Sequence, residues 1–213
     1  MKTLKQIYDE LCPQEIAMHY NLAHRLSLKR VDGKIVGYTD KDGIHSYLQY
    51  IYAKLFEPKR HTATKLLEIG VWTGGSLVLW RDYFTKAHIY GMDTESPTIM
   101  ELVFEDRITQ ITCDAYSDYV VNSLKNNDFD IIIDDGPHTL ESMIYCVKNY
   151  LPKLKSDGIL VLEDLKEIAW AKTLFDHVPV EYKNAVTVYD LRHLKNLNDD
   201  IAFVINLARL TQR

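Results

Sequence analysis

Between Thr64 and His177 the sequence alternates short unbroken apolar runs with longer stretches whose apolar residues recur every three or four positions. Runs such as Ile131-Ile132-Ile133 read as strands covered on both faces, as in a parallel sheet flanked by helices. The pattern predicts strands at 65–70, 87–92, 108–113, 129–135 and 158–163. Helices are expected at 75–86, 97–105, 116–126, 139–154 and 166–177, with Ser96-Pro97 as a capped helix start. Val180–Tyr189 and Ile201–Leu207 read as a closing hairpin around the polar loop 190–200. The expected fold class is α/β: a doubly wound, mostly parallel, Rossmann-like seven-stranded sheet with an antiparallel C-terminal hairpin.

Ahead of this alternation, Leu4, Ile7, Tyr8 and Leu11 fall at helical spacing, and Pro13 starts a second helix with Ile16, Tyr20 and Leu26 inward. A polar stretch, 30–44, holds two Asp-Gly turns and a short hairpin, and a tyrosine-rich helix follows from His45 to Phe56. This divides the chain into an N-terminal helical cap, 1–36, and a main domain, 37–213. The N-terminal helices serve either as that cap or as a homo-oligomer contact.

Polar residues concentrate where the apolar runs end. The fourth strand runs into Asp134-Asp135-Gly136-Pro137-His138 and the fifth into Glu163-Asp164, at the strand ends where open α/β sheets bind ligands. Asp135, Glu163 and Asp164 meet there as hard oxygen ligands suited to Mg²⁺, with Mn²⁺ or Ca²⁺ as substitutes. The structural alternative has Glu163 capping the next helix and Asp134 bonding backbone N–H groups. His138, three residues beyond Asp135, is placed to act as a general base on a metal-held hydroxyl. The first strand leads through Glu68 into the turn Gly70-Val-Trp-Thr73-Gly74-Gly75-Ser76, and the second ends in Asp93, able to accept ribose hydroxyls. The third ends at Asp114-Ala115, where Asp114 can accept an adenine amine. Any one such acid is ordinary at a solvated strand end; their recurrence at successive strands points to a ligand.

Composition narrows the class. Of 213 residues 46% are hydrophobic and 26% charged, which suits a globular chain with a substantial core. The net charge of −5 and the lack of a basic run exclude nucleic acid and a membrane surface as expected partners. Three scattered cysteines without a CxxC fit a reducing, cytoplasmic setting, and no run is long enough to span a membrane. The Gly70-x-x-x-Gly74 spacing disfavours a dinucleotide site, and with it a sugar oxidoreductase.

The form E-x-G-x-x-x-G resembles motif I of class I S-adenosylmethionine (SAM)-dependent methyltransferases. With Thr39-Asp40-Lys41, His45-x-Tyr47-x-x-Tyr50, LEIGVWTGGS, IYGMD, IIIDDGPH and LVLEDL, the stretch from Tyr38 to Asp164 resembles the Mg²⁺-dependent sugar O-methyltransferases of macrolide biosynthesis, of the mycinamicin and macrocin type. The resemblance implies SAM and Mg²⁺ as cofactors. It also implies Asp135, Glu163 and Asp164 as metal ligands, with His138 as the base. Thr39 and Lys41 would then lie near the methionine carboxylate of SAM. Glu68, Gly70, Thr73, Gly74, Ser76, Asp93, Asp114, Ala115 and Asp134 would complete the cofactor contacts. Pro137 replaces a small residue of the family pattern, and no counterpart of a long auxiliary N-terminal domain is seen. The expected reaction is methyl transfer to a sugar hydroxyl of a glycan, nucleotide sugar or glycoside. A catechol-like phenol acceptor, or a non-catalytic SAM-binding subunit, is the alternative. Tyr47, Tyr50, Lys166 and the 190–200 loop are expected to line the substrate.

Overall fold

The computed structural model describes residues 1–13, 28–95, 102–103 and 105–211. The helix expected after Pro13, with Ile16, Tyr20 and Leu26, and the Ser96-Pro97 helix start lie outside the described residues.

Helix α1 (Leu4–Leu11) opens with a capping box, Thr3 with Gln6, and buries Leu4, Ile7, Tyr8 and Leu11. A small hairpin follows, β1 (Lys29–Val31) and β2 (Lys34–Val36), then a short helix α2 (Asp40–Gly43). The expected 45–56 helix is a π-helical turn, Leu48–Tyr52, running into α3 (Ala53–Phe56). Next come β3 (Lys65–Ile69), α4 (Gly75–Tyr83), β4 (His88–Asp93), β5 (Ile108–Thr112), α5 (Asp118–Ser123), β6 (Phe129–Asp134) and α6 (Leu140–Tyr150). The chain ends with β7 (Leu154–Leu162), α7 (Ala169–His177), β8 (Val186–Asp190), α8 (Arg192–Lys195) and β9 (Ile201–Asn206).

Among the described residues the main sheet has seven strands in the order β5-β4-β3-β6-β7-β9-β8. Pairings from β5 to β7 are parallel, and β9 runs antiparallel to both β7 and β8. This is the expected α/β fold. The C-terminal hairpin inserts its second strand beside β7, which leaves β8 at the edge. Several boundaries differ from expectation. Residues 180–185 form a 3₁₀ turn before β8, where Pro179 delays extended pairing, and β7 begins at Leu154 rather than 158.

Every residue of β6 is buried. Its side chains alternate, with Ile131 and Ile133 packing on one face and Ile132 on the other. The first face is covered by α1, the π-turn and α4; the second by α6 and α7. The apolar stripe of α1 therefore lies within the same core as the sheet.

Parallel register lines up the strand ends. Ile69 sits opposite both Met92 and Asp134, and Asp134 opposite Leu162, so Gly70, Asp93, Asp135 and Glu163 emerge along one edge. At the other edge Asp130 is buried and its Oδ2 accepts from the backbone N–H of Thr64 (2.8 Å) and Lys65 (3.1 Å) and from Lys155 Nζ (2.7 Å). Burial raises the Asp130 pKa, but the Lys155 and backbone hydrogen bonds outweigh it and hold the carboxyl below its ordinary value. We expect Asp130→Ala to cost about 3 kcal/mol at neutral pH, measured by denaturant unfolding. A depressed folded pKa is stabilising above the unfolded value. The gap between variant and wild type should therefore close as pH falls below ~4; a gap independent of pH would show that packing, not charge, carries the effect.

Candidate active site at the carboxyl edge of the sheet

Glycine at two positions brings the site together. Gly70 has φ +81°, and a Cβ there would stand 1.9 Å from the carbonyl oxygen of Asp135. A Cβ on Gly75 would stand 1.8 Å from the carbonyl of Tyr38. The glycines thus admit neighbouring backbone: the end of β6 on one side, and a strap of residues 38–43 across the turn on the other. Tyr8 in α1 braces this strap, its hydroxyl donating to the Thr39 carbonyl (3.5 Å), and Lys195 donates to the carbonyls of Asp42 and His45.

Beneath the strap the structure brings together Lys41, Glu68, Asp135, His138, Glu163 and Asp164. Lys41 is almost wholly buried; its Nζ donates to Asp135 Oδ2 (2.5 Å) and Glu163 Oε2, with Glu68 Oε1 at 3.7 Å. Its ammonium therefore addresses the acids of β3, β6 and the β7 end. This is a different partner from the cofactor carboxylate that the resemblance implies. Burial would depress the Lys41 pKa, but Asp135 and Glu163 outweigh it and hold the group charged. Glu68 is fully buried, accepts from Trp80 Nε1 (3.2 Å), and burial pushes its pKa up to about 7.

Asp135 Oδ1 lies 3.6 Å from His138 Nε2, and Asp164 Oδ2 lies 3.8 Å from the same nitrogen. His138 (φ +50°) and Asp164 (φ +55°) both adopt the left-handed conformation, held at the mouth of the site by the surrounding fold. Burial pushes the pKa of Asp135, Glu163 and Asp164 upward, as expected of crowded carboxylates short of positive charge. Burial lowers that of His138 against the pull of Asp135, favouring neutral imidazole. Ligand atoms of Asp135, His138 and Asp164 lie within 4.8 Å of one another, a spacing one cation can bridge. The donor set is rich in carboxylate oxygen and free of cysteine, which fits Mg²⁺ or Mn²⁺. Glu163 stands beside this trio with its oxygens taken by Lys41 and Tyr52.

Sequence reasoning missed what holds the acids. Tyr47 Oη donates to Asp164 Oδ1 (2.6 Å), and Tyr52 Oη donates to Glu163 Oε1. The two tyrosines lie five positions apart, a spacing that faces one way on a π-helical turn and not on an α-helix. Expected among the substrate-lining residues, Tyr47 is instead buried, whereas Tyr50 is exposed. His45 stacks on Tyr47 and sits 3.5 Å from Asp164 and 3.7 Å from the buried Asp200.

The residues expected along the cofactor edge are largely engaged by the chain itself. Asp93 Oδ2 accepts from the N–H groups of Val71 (2.8 Å) and Trp72 (3.0 Å), fixing the glycine turn. Asp114 Oδ1 accepts from the Tyr116 N–H (2.9 Å), and the Ala115 carbonyl accepts from Tyr150. Asp134 is buried, accepts from the Tyr116 hydroxyl, and is pushed up to about 7 by burial. Thr73 Oγ1 reaches the Tyr38 carbonyl (3.4 Å), Thr39 is buried within the strap, and Ser76 is buried at the start of α4. Gly74, at φ +79°, caps α4, whose first N–H groups open toward the turn.

The strand order, the glycine turn and the acids at successive strand ends define a Rossmann-like methyltransferase fold. Residues 67–165 match the family described as "Methyltransferase domain". More particularly, the chain is 33% identical over 128 residues to demethylmacrocin O-methyltransferase of Streptomyces fradiae, covering 56% of this chain and 32% of that protein. It is 31% identical over 141 residues to 8-demethyl-8-alpha-L-rhamnosyl tetracenomycin-C 2'-O-methyltransferase of Streptomyces olivaceus, covering 62% and 36%. The match thus spans about a third of the length of these relatives. In fold, it is similar to MycE methyltransferase in complex with Mg, SAH and mycinamycin VI, with TM-score 0.59, 23% identity, and 76% and 49% of the two chains covered.

Tyr47→Phe and Tyr52→Phe should each weaken Mg²⁺ binding by ~10-fold or more in calorimetric titration, with circular dichroism unchanged, because each frees an acid to turn away. Tyr50→Phe is the control. Equal affinity in all three would remove the tyrosines from the site.

Proposed function

We propose that this protein is a SAM-dependent, Mg²⁺-dependent O-methyltransferase that methylates a sugar hydroxyl. The observation that carries the proposal is the convergence of Asp135, His138 and Asp164 within one cation's reach beside the Gly70 turn. The relatives named above support it: both are named as O-methyltransferases, the second of a rhamnosyl tetracenomycin-C, and MycE was solved with Mg and SAH.

When bound, SAM supplies a methyl group already activated on sulfonium, and a divalent cation supplies Lewis acidity to an acceptor oxygen. What remains for the chain is alignment and proton removal. Asp135 and Asp164 would hold the cation, and Tyr47 fixes the orientation of Asp164 through its Oδ1. Neutral His138, between the two acids, takes the acceptor's proton at Nε2. The strap from Tyr38 to Gly43 covers the glycine turn and limits water. In this reading residues 37–213 are the catalytic unit and 1–36 its cap, with α1 bracing the strap. The acceptor is a small-molecule glycoside or glycan. The free thiols Cys12, Cys113 and Cys146 support a cytoplasmic setting, and no described helix is long and apolar enough to cross a membrane.

The test is methyl transfer from SAM to a panel of glycosides and catechols, followed by mass spectrometry with and without chelator. Glycosides should gain one methyl group only when Mg²⁺ is present; full activity in excess chelator contradicts the metal role. His138→Ala should lower turnover ~10²–10⁴-fold while SAM affinity stays within twofold. An unchanged rate removes His138 as the base.

A further inference from the structure

We infer that Lys41 is a resident cation of the acidic cluster. It holds Asp135 and Glu163 assembled before any exchangeable ion arrives and leaves Asp135 Oδ1 and Asp164 Oδ2 as the open face for a divalent cation. Only the second half rests on the metal reading above.

The directions of the individual oxygens carry the argument. Asp135 turns Oδ2 to Lys41 (2.5 Å) and Oδ1 toward His138 (3.6 Å). Glu163 gives Oε2 to Lys41 and Oε1 to Tyr52. Asp164 gives Oδ1 to Tyr47 (2.6 Å), and its Oδ2 faces His138 (3.8 Å). The cluster thus has a side closed by an ammonium and a side that presents two oxygens and an imidazole. The buried Glu68 reinforces the closed side, its Oε1 making no hydrogen bond and having the ammonium at 3.7 Å.

The other lysines buried among the described residues behave differently. Lys59 has the half-exposed Asp157 as its near partner (2.7 Å), with Asp130 at 4.0 Å, and Lys153 donates to the Leu124 carbonyl and to Asn126. Lys41 instead faces three acids from three strands with almost no solvent contact. Buried carboxylates this close repel unless a cation stands between them, and a built-in one does so without metal. Lys41 also belongs to the strap over the glycine turn, so one side chain ties the cover of the cofactor edge to the acids beneath it.

The experiment compares thermal midpoints in chelator and in Mg²⁺ for wild type, Lys41→Met and Lys41→Met/Glu68→Gln, together with calorimetric affinity for S-adenosylhomocysteine (SAH). In chelator, Lys41→Met should lose about 10 °C, and the double variant should regain part of it by removing one uncompensated charge. Mg²⁺ should raise the midpoint of both variants more than that of wild type, because it replaces a missing cation. If the single variant does not fold, the double variant carries the same comparison. A wild-type midpoint for Lys41→Met in chelator would overturn the inference. So would an unchanged midpoint with SAH affinity reduced tenfold or more, which would make Lys41 a cofactor contact. A wild-type protein that binds no divalent cation defeats the metal reading, while the midpoints in chelator still decide the role of Lys41.

Discussion

The constraint that organises this molecule is the repulsion between carboxylates that parallel strands deliver to one edge. Glu68, Asp135, Glu163 and Asp164 come from β3 and from the ends of β6 and β7, and all four have raised pKa values because they are buried together. Among the described residues, no cation on the sheet itself pairs with these acids. Relief comes from outside it: the Lys41 ammonium on the strap and the hydroxyls of Tyr47, which caps the π-turn, and Tyr52, which ends it. The N-terminal third is therefore part of the site, because it supplies the positive charge and hydrogen-bond donors that the strand ends lack.

The same logic accounts for local backbone features. A π-turn is less favourable than continued α-helix and persists only where tertiary contacts reward it; here its register aims two phenols at two adjacent acids. Left-handed backbone at His138 and Asp164 is likewise costly for residues with side chains. Both sit where the chain must leave a buried strand and immediately present a polar group to the same crevice. Gly70 and Gly75 have a related origin, since their missing side chains let the β6 end and the strap close on the turn.

Much of the fold was legible in the sequence. Runs such as Ile131–Ile133 are unbroken because β6 is covered on both faces, and that pattern has few other readings. Asp135, Glu163 and Asp164, with His138 beside them, were legible as a constellation because parallel register forces neighbouring strand ends into line. What pairs with what was not. Lys41 reads as one lysine in a polar loop, and its 94-residue separation from Asp135 leaves no periodic trace. The tyrosine-rich stretch reads as α-helix because local propensity carries no signal for a π-turn imposed by distant acids. Asp93 and Asp134 were read as facing a ligand, yet their oxygens also serve the glycine turn and Tyr116, a use of acids that spacing alone does not reveal.

Crystals grown with SAH and Mn²⁺ and measured at an anomalous wavelength would test the central claim most directly. The account predicts one manganese peak bound by Asp135 and Asp164 near His138, SAH along the Gly70 turn, and Lys41 still between Asp135 and Glu163. A peak elsewhere, no peak at all, or Lys41 turned onto the cofactor carboxylate would contradict it.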